Sequence, residues 1–284
     1  MRVARSRELV AQGRPAALVA RVAGISRQAI YRRPQRPPVG QRRPPDRVDR
    51  VVLDVARANP TDGTRMVAAL ASRELAGAAV NRKRVQRLMR EHRLLQPKRS
   101  EGRRRRPGYF RVTRPDELWH LDMTSVWVAE HGWCYLNAAI DCCTREITGW
   151  ALDVRCRGPE AIVVVEAAAA ERCIGPGRLT LGTDNGSAFT SRAFRARLHE
   201  LTITHRRGGY RDPESQAFIE SWFSKLKQRC IWREEFETLD EAREKIGAYV
   251  DGYHHRPHSR LAYRTPREVA ATWKDHDDQP IPAA

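Results

Sequence analysis

The chain is 284 residues long and 41% hydrophobic, with 52 Lys and Arg against 34 Asp and Glu, a formal net charge of +18. That length holds one large domain or two, with enough apolar content for a buried core. No apolar run approaches a membrane span, nothing at the N-terminus resembles a signal peptide, and the six cysteines form no CxxC pair, which argues against membrane, secreted and zinc-ribbon classes and for a cytosolic protein with reduced thiols.

The charge is uneven. Residues 1–107 carry 28 Lys and Arg against 8 Asp and Glu, net +20, whereas residues 108–284 are close to neutral at net −2. A basic first third joined to a near-neutral remainder points to a polyanion-binding module attached to a domain with a different task.

In chain order, residues 1–33 contain a helix-turn-helix pattern over 14–33: a helix, a turn at Gly24, and a second helix capped by Ser26. Arg27, Gln28, Tyr31 and Arg32 suit base edges and phosphates, although the same pattern serves a basic helical hairpin with no DNA role. Five prolines among several arginines make residues 34–47 a stiff basic linker. Residues 48–96 read as a helical DNA-binding domain. Val51, Val52 and Val55 mark one helix and residues 64–75 a second, while Asn81 caps a third with Val85, Leu88 and Met89 inward. Arg82, Lys83, Arg84, Arg87 and Arg90 then face outward, a basic row for phosphates. Residues 97–112 form a basic linker; the run Arg103, Arg104, Arg105 and Arg106 marks a domain boundary and adds DNA contacts.

From Leu118 the period changes from helical to alternating. Residues 118–128 form a strand with Trp119, Leu121 and Met123 on one face and His120 and Asp122 on the other. A turn at Glu130-His131-Gly132 returns the chain as a strand over 133–141, and Thr144-Arg145 turns it into a third over 147–154. A helix opens at Pro159 and runs to about Cys173. A short strand over 179–183 ends at Asp184-Asn185-Gly186-Ser187, a helix covers 191–201, and a strand covers 202–205. After the Gly208-Gly209 loop, Asp212-Pro213 signals another helix, with Phe218, Ile219, Trp222, Phe223 and Leu226 as its apolar stripe. Glu220 lies off that stripe, with Ser224 and Lys227 on its own side.

The order is α/β, a meander followed by alternating helices and strands. Asp122 lies within the first strand, Asp184 at the C-terminal end of the fourth, and Glu220 on the last helix. Three carboxylates converging at one sheet edge repel one another, and a divalent metal offsets that repulsion; oxygen donors alone suit Mg²⁺ or Mn²⁺. Alone, Glu220 reads as an ordinary surface acid.

The strings Trp119-His-Leu-Asp122-Met-Thr, Gly132-Trp-Cys-Tyr-Leu, Ile140-Asp-Cys-Cys-Thr-Arg145, Thr183-Asp184-Asn-Gly-Ser187 and Phe218-Ile-Glu220-Ser-Trp-Phe-Ser-Lys-Leu-Lys227 together resemble the DDE integrase core of bacterial insertion-sequence transposases. The nearest resemblance is to the family named after insertion sequence three. The downstream Arg256-Pro-His-Ser-Arg-Leu-Ala-Tyr-Arg-Thr-Pro266 is similar to that family's tail, with Ala262 in place of the usual Gly. Tyr210-Arg-Asp-Pro-Glu-Ser215 departs from the family's Asn-containing loop.

The resemblance implies an RNase-H-like, retroviral-integrase-like catalytic core with a mixed five-stranded sheet over 113–273, including a helical tail, followed by a flexible segment at 274–284. It implies Asp122, Asp184 and Glu220 as catalytic ligands of two Mg²⁺ or Mn²⁺ ions, Lys227 as a contact to the terminal DNA phosphate, and a DNA transposase that frees a 3′-hydroxyl at an element end and joins it to another strand. Implied partners are double-stranded DNA of the terminal repeats and target, at least a second copy of the chain, and an upstream-frame helix-turn-helix product; the implied setting is the bacterial cytoplasm at the nucleoid. The competing reading is a transposase-derived DNA-binding regulator with an inert core. Asp141 beside a turn reads as structural, His254, His255 and His258 belong to the tail rather than to a zinc site, and His120 supports Asp122 from the same strand face.

Overall fold

Described in a computed structural model are residues 2–31, 44–96, 112–155, 157–208 and 217–274. The chain divides into a unit of residues Met1–Asp46 and a larger one of Arg47–Ala284. In the first, α1 (Arg2–Ala11), α2 (Ala16–Ala23) and α3 (Arg27–Tyr31) enclose Val19, Ala20 and Ile30 with Leu9, Val10 and Ile25. The expected turn is there: Gly24, at φ 63°, ends α2, and Ser26 Oγ accepts the Ala29 amide at 3.2 Å. Helix α1 was not legible in the sequence, since its arginines break up the apolar stripe. It is tied in by Arg7 Nε, which donates to the Ile30 carbonyl at 2.8 Å.

The larger unit begins with α4 (Arg47–Ala58), α5 (Thr64–Glu74) and α6 (Arg82–Glu91), packed around Val52, Val55, Val67, Ala71, Val85 and Met89. Asn81 caps α6 as expected, its Oδ1 accepting the Lys83 amide at 2.8 Å.

Five strands follow: β1 (Leu118–Val128), β2 (Gly132–Asp141), β3 (Ile147–Asp153), β4 (Thr180–Thr183) and β5 (Thr204–Arg207), in the spatial order β3-β2-β1-β4-β5. The β1-β2-β3 pairs are antiparallel and the β1-β4-β5 pairs parallel, so the sheet is mixed, the arrangement of an RNase-H-like core. Alternation along β1 divides the core in two. Trp119 and Leu121 point to a layer made by α7 (Gly158–Glu171), the single-turn α8 (Ser187–Thr190) and α9 (Arg192–Glu200), through Val165, Phe189 and Phe194. Val126 and Val128 point to the opposite layer of α10 (Ala217–Arg229) and α11 (Leu239–His254), through Ile219, Trp222, Leu226 and Ile246. The last helix, α12, spans Pro266–Lys274.

Strand β5 runs over 204–207 rather than the expected 202–205. Thr202 instead has a left-handed φ of 54°, and its carbonyl accepts the Gly177 amide, so it belongs to the turn that leaves α9. The Asp212-Pro213 helix start, Arg32, and the run Arg103, Arg104, Arg105 and Arg106 lie outside the described residues.

Candidate active site

Asp122 is half-buried in the middle of β1, opposite Ala138 of β2. On its other side β4 pairs in parallel, with His120 opposite Gly182. Two residues further along that register, at the end of β4, comes Asp184. The local sequence then holds this second carboxylate in place. Thr183 Oγ1 donates to the Asp184 carbonyl at 2.9 Å and pairs with His205 Nε2 at 2.9 Å, while Asn185 Nδ2 donates to the Gly208 carbonyl at 2.9 Å. The Gly186 amide donates to Asp184 Oδ1 at 2.8 Å, and a Cβ on Gly186 would sit only 2.9 Å from that oxygen. Glycine is what permits the approach.

The third acid, Glu220, is exposed in the first turn of α10, and the expected stripe of Ile219, Trp222, Phe223 and Leu226 is buried beneath it. Two residues before Glu220, the Phe218 ring is held between two partners: the Arg145 guanidinium lies 3.3 Å from its centroid and His120 stacks on it at 5.7 Å and 19°. Lys227, half-buried, projects from the same side of α10.

Asp184, Glu220 and Lys227 all act electrostatically on Asp122. Burial pushes the Asp122 carboxyl up to about 6; the hydrogen bond from its own neighbour's amide, Met123 N to Oδ1 at 2.7 Å, acts the other way, the charges of Asp184 and Glu220 add to the rise, and Lys227 opposes it. Three acids and one cation therefore share one field. They do not form a closed coordination shell: among the described residues no three His, Cys, Asp or Glu side chains stand in a metal-holding cluster. The donors are all carboxylate oxygens, flanked by a cation, and this set fits a hard divalent ion.

His120 is buried under Phe218 and held well below the usual histidine range, at about 3, by burial and then by Arg145 and Arg206, so it is a neutral spacer. A Cβ on Gly182 would come within 2.8 Å of its ring. Asp141 is fully buried and accepts the amides of Asp116, Cys143 and Thr144 at 2.7, 2.8 and 2.6 Å, so it builds the β2–β3 turn. His254 Nε2 accepts the Ile147 amide at 3.0 Å, and His258 Nδ1 accepts the Arg260 amide at 3.2 Å. Arg145 went unassigned in the sequence. Its signal was only its place after the turn Thr144, where it takes a left-handed φ of 67° and offers its carbonyl to Tyr253 Oη at 2.9 Å.

Residues 112–213 match the integrase core domain family, residues 201–266 a second family also described as an integrase core domain, and residues 46–107 an HTH-like domain. The chain is 31% identical over 161 residues to the transposase for insertion sequence element IS904 of Lactococcus lactis, an alignment covering 56% of this chain and 63% of that protein. It is also 31% identical over 280 residues to the transposase InsD for insertion element IS2 of Escherichia coli, covering 93% of each. The chain belongs to the bacterial insertion-sequence transposases of the DDE superfamily. Among solved structures, a chain of the simian T-cell lymphotropic virus intasome in complex with PP2A regulatory subunit B56 gamma is similar at 17% identity and a TM-score of 0.47, over 81% of this chain and 78% of that one.

The HTH-like match falls on α4 to α6 of the transposase, not on residues 14–33. Arg82, Lys83, Arg87 and Arg90 stand exposed along α6, and Arg27, Gln28 and Tyr31 are exposed on α3. Arg84 is a correction to the outward row: its Nε donates to Asp49 Oδ1 at 2.7 Å, and the pair is mostly buried, so this guanidinium holds α6 to α4. Helix i, i+3 spacing put Arg84 beside Arg87, but Asp49, 35 residues earlier, draws it inward.

Proposed function

We propose that this chain is a DNA transposase of the polynucleotidyl-transferase type, which hydrolyses the phosphodiester at an insertion-sequence end and joins the freed 3′-hydroxyl to a target strand, using Asp122, Asp184 and Glu220 as ligands of one or two Mg²⁺ or Mn²⁺ ions. The observation that carries this reading is the β1–β4 register, which sets Asp184 at the strand end beside Asp122, with the Glu220-bearing α10 packed against the same sheet; the Asp122 carboxyl, raised mainly by burial and further by both other acids, is a cost that a bound divalent cation removes. When bound, such ions supply a nucleophilic oxygen at neutral pH and stabilise the departing one in an in-line displacement at phosphorus.

The chain's own residues do the rest. Asp122 supplies its charge above about pH 6 from a strand that cannot shift without breaking β1 pairing on both sides. Gly186 orients Asp184, and the Arg145–Phe218–His120 stack sets the start of α10 and with it Glu220. Lys227, in reach of the same field, takes the terminal phosphate as a point charge. The basic face of α6 binds the duplex by its phosphates, and pairing of two DNA ends calls for at least two copies of the chain.

The test is a cleavage and joining assay on duplex DNA carrying the element end, with Mg²⁺, Mn²⁺ or EDTA. Asp122→Asn, Asp184→Asn and Glu220→Gln each abolish cleavage and joining while leaving DNA binding close to wild type. Full activity in any one removes that residue from the site; DNA binding by the wild type without any metal-dependent strand cleavage favours the inert regulator.

A further inference from the structure

Asp62 sits in the turn between α4 and α5, 3% exposed, its amide donating to the Asn59 carbonyl at 3.0 Å. Two guanidiniums close on its two oxygens from distant parts of the chain. Arg229, at the last residue of α10, gives Nη2 to Oδ1 at 2.5 Å and Nε to Thr61 Oγ1 at 3.2 Å. Arg256, just past α11, gives Nη2 to Oδ2 and to Asn59 Oδ1, the latter at 2.9 Å. Further out, Arg73 of α5 grips both carboxylate oxygens of Glu268 on α12 at 2.7 Å and reaches the Tyr263 carbonyl at 3.1 Å. The turn of the HTH-like domain is thus bolted to the far end of the helix that carries Glu220 and Lys227.

A buried ion pair is a poor source of net stability, because desolvation cancels most of the attraction. What a carboxylate shared by two guanidiniums does supply is direction: several bonds with fixed angles, which an apolar contact able to slide does not give. Arg229 lies nine residues after Glu220, roughly 14 Å along α10. A rotation of about 14° at that joint moves Glu220 by roughly 3.4 Å relative to the helical domain, which equals the rise of one base pair along the duplex axis. Small looseness at Asp62 therefore equals one wrong phosphodiester at the acids.

We propose that Asp62 is a positioning residue: through Arg229 and Arg256 it locks the helical domain to the catalytic helix at one fixed geometry, so that the place where the helical domain grips the element end sets which phosphodiester is cut. This rests on the proposed transposase function. In this reading Arg229 and Arg256 act through their bonds to Asp62, Thr61 and Asn59 rather than on DNA or on the three acids.

The experiment uses the full chain, Mg²⁺ and end-labelled duplex carrying the element terminus, with cut positions mapped at single-nucleotide resolution and folding followed by thermal melting. Wild type cuts at one dominant position. Asp62→Asn keeps DNA affinity and total nicking but spreads the cuts over neighbouring phosphodiesters, lowering the share of product at the wild-type position by roughly 3–5-fold. Should Asp62→Asn melt too early, because it leaves two cations facing a neutral group, Arg256→Gln carries the test: it keeps Asp62 paired with Arg229 and spreads the cuts in the same way. If the folded variants cut at the wild-type position with the wild-type rate, or lose all nicking in equal proportion with no change of position, the inference is overturned. A wild type that makes no metal-dependent cut overturns the transposase reading instead, before any variant is compared.

Discussion

Asp122→Asn takes a charge from the most buried of the three acids while leaving an oxygen in place to accept the Met123 amide at 2.7 Å. In the folded protein the carboxyl sits at about 6 rather than 3.8, through burial first and the neighbouring Asp184 and Glu220 after it. A rise of about two units is worth on the order of 2–3 kcal/mol against the ionised form, and water reaching a half-buried group reduces the effect to about 1–2 kcal/mol. Below pH 3.8 the acid is protonated whether the chain is folded or not, so there is no penalty. As pH rises through 6 the folded state is forced to ionise an acid that the unfolded chain ionises easily, and stability falls. In EDTA, Asp122→Asn is therefore more stable than wild type at pH 8 by about 1–2 kcal/mol, and the gain vanishes near pH 4. Urea unfolding at the two pH values measures it. Saturating Mg²⁺ reverses the order at pH 8, raising the midpoint of wild type and not that of the variant. A variant no more stable than wild type at pH 8 in EDTA, or one whose gain persists at pH 4, refutes the claim that the cost of ionising the half-buried Asp122 carboxyl is the cause.

Gly186→Ala places a methyl 2.9 Å from Asp184 Oδ1, so the melting temperature changes little while metal-dependent cleavage drops by at least tenfold; an unchanged rate would show that the Asp184 orientation is not needed. His254 is held at about 4 by burial and then by Arg267, so it stays neutral when folded and protonates when unfolded; stability falls as pH drops from 6.5 to 4, by up to about 3 kcal/mol, and His254→Gln flattens that slope in a pH series of urea midpoints. On α6, replacing Arg82, Lys83 or Arg87 by Gln weakens DNA binding and lowers the slope of log affinity against log salt by about 1 each. Arg84→Ala, by contrast, lowers the stability of the helical domain because the mostly buried Asp49 loses its Arg84 hydrogen bond, which separate melting and binding curves distinguish.

Much of the catalytic region can be read from local pattern. The limits of β1 match its alternation, and the stripe on α10 matches its burial, because both follow from which side of a strand or helix faces the core. Asp122, Asp184 and Glu220 stand out by their positions on those elements. Two errors in that reading share a cause. Neighbours a few residues away place Thr202 on β5 and Arg84 in the outward row, yet Gly177 and Asp49 decide their places from 25 and 35 residues away.

The α/β order and the uneven charge are legible in the chain alone, since periodicity and composition are local properties, and the three acids are singled out there by their places on those elements together with the resemblance to the integrase core. Only the tertiary structure decided that Phe218 is held between Arg145 and His120, and that Asp62 takes Arg229 and Arg256 across 167 and 194 residues. Such pairings carry no local signal: many arginines precede and follow, each equally able to meet a carboxylate, and packing alone selects which of them arrive at a buried one.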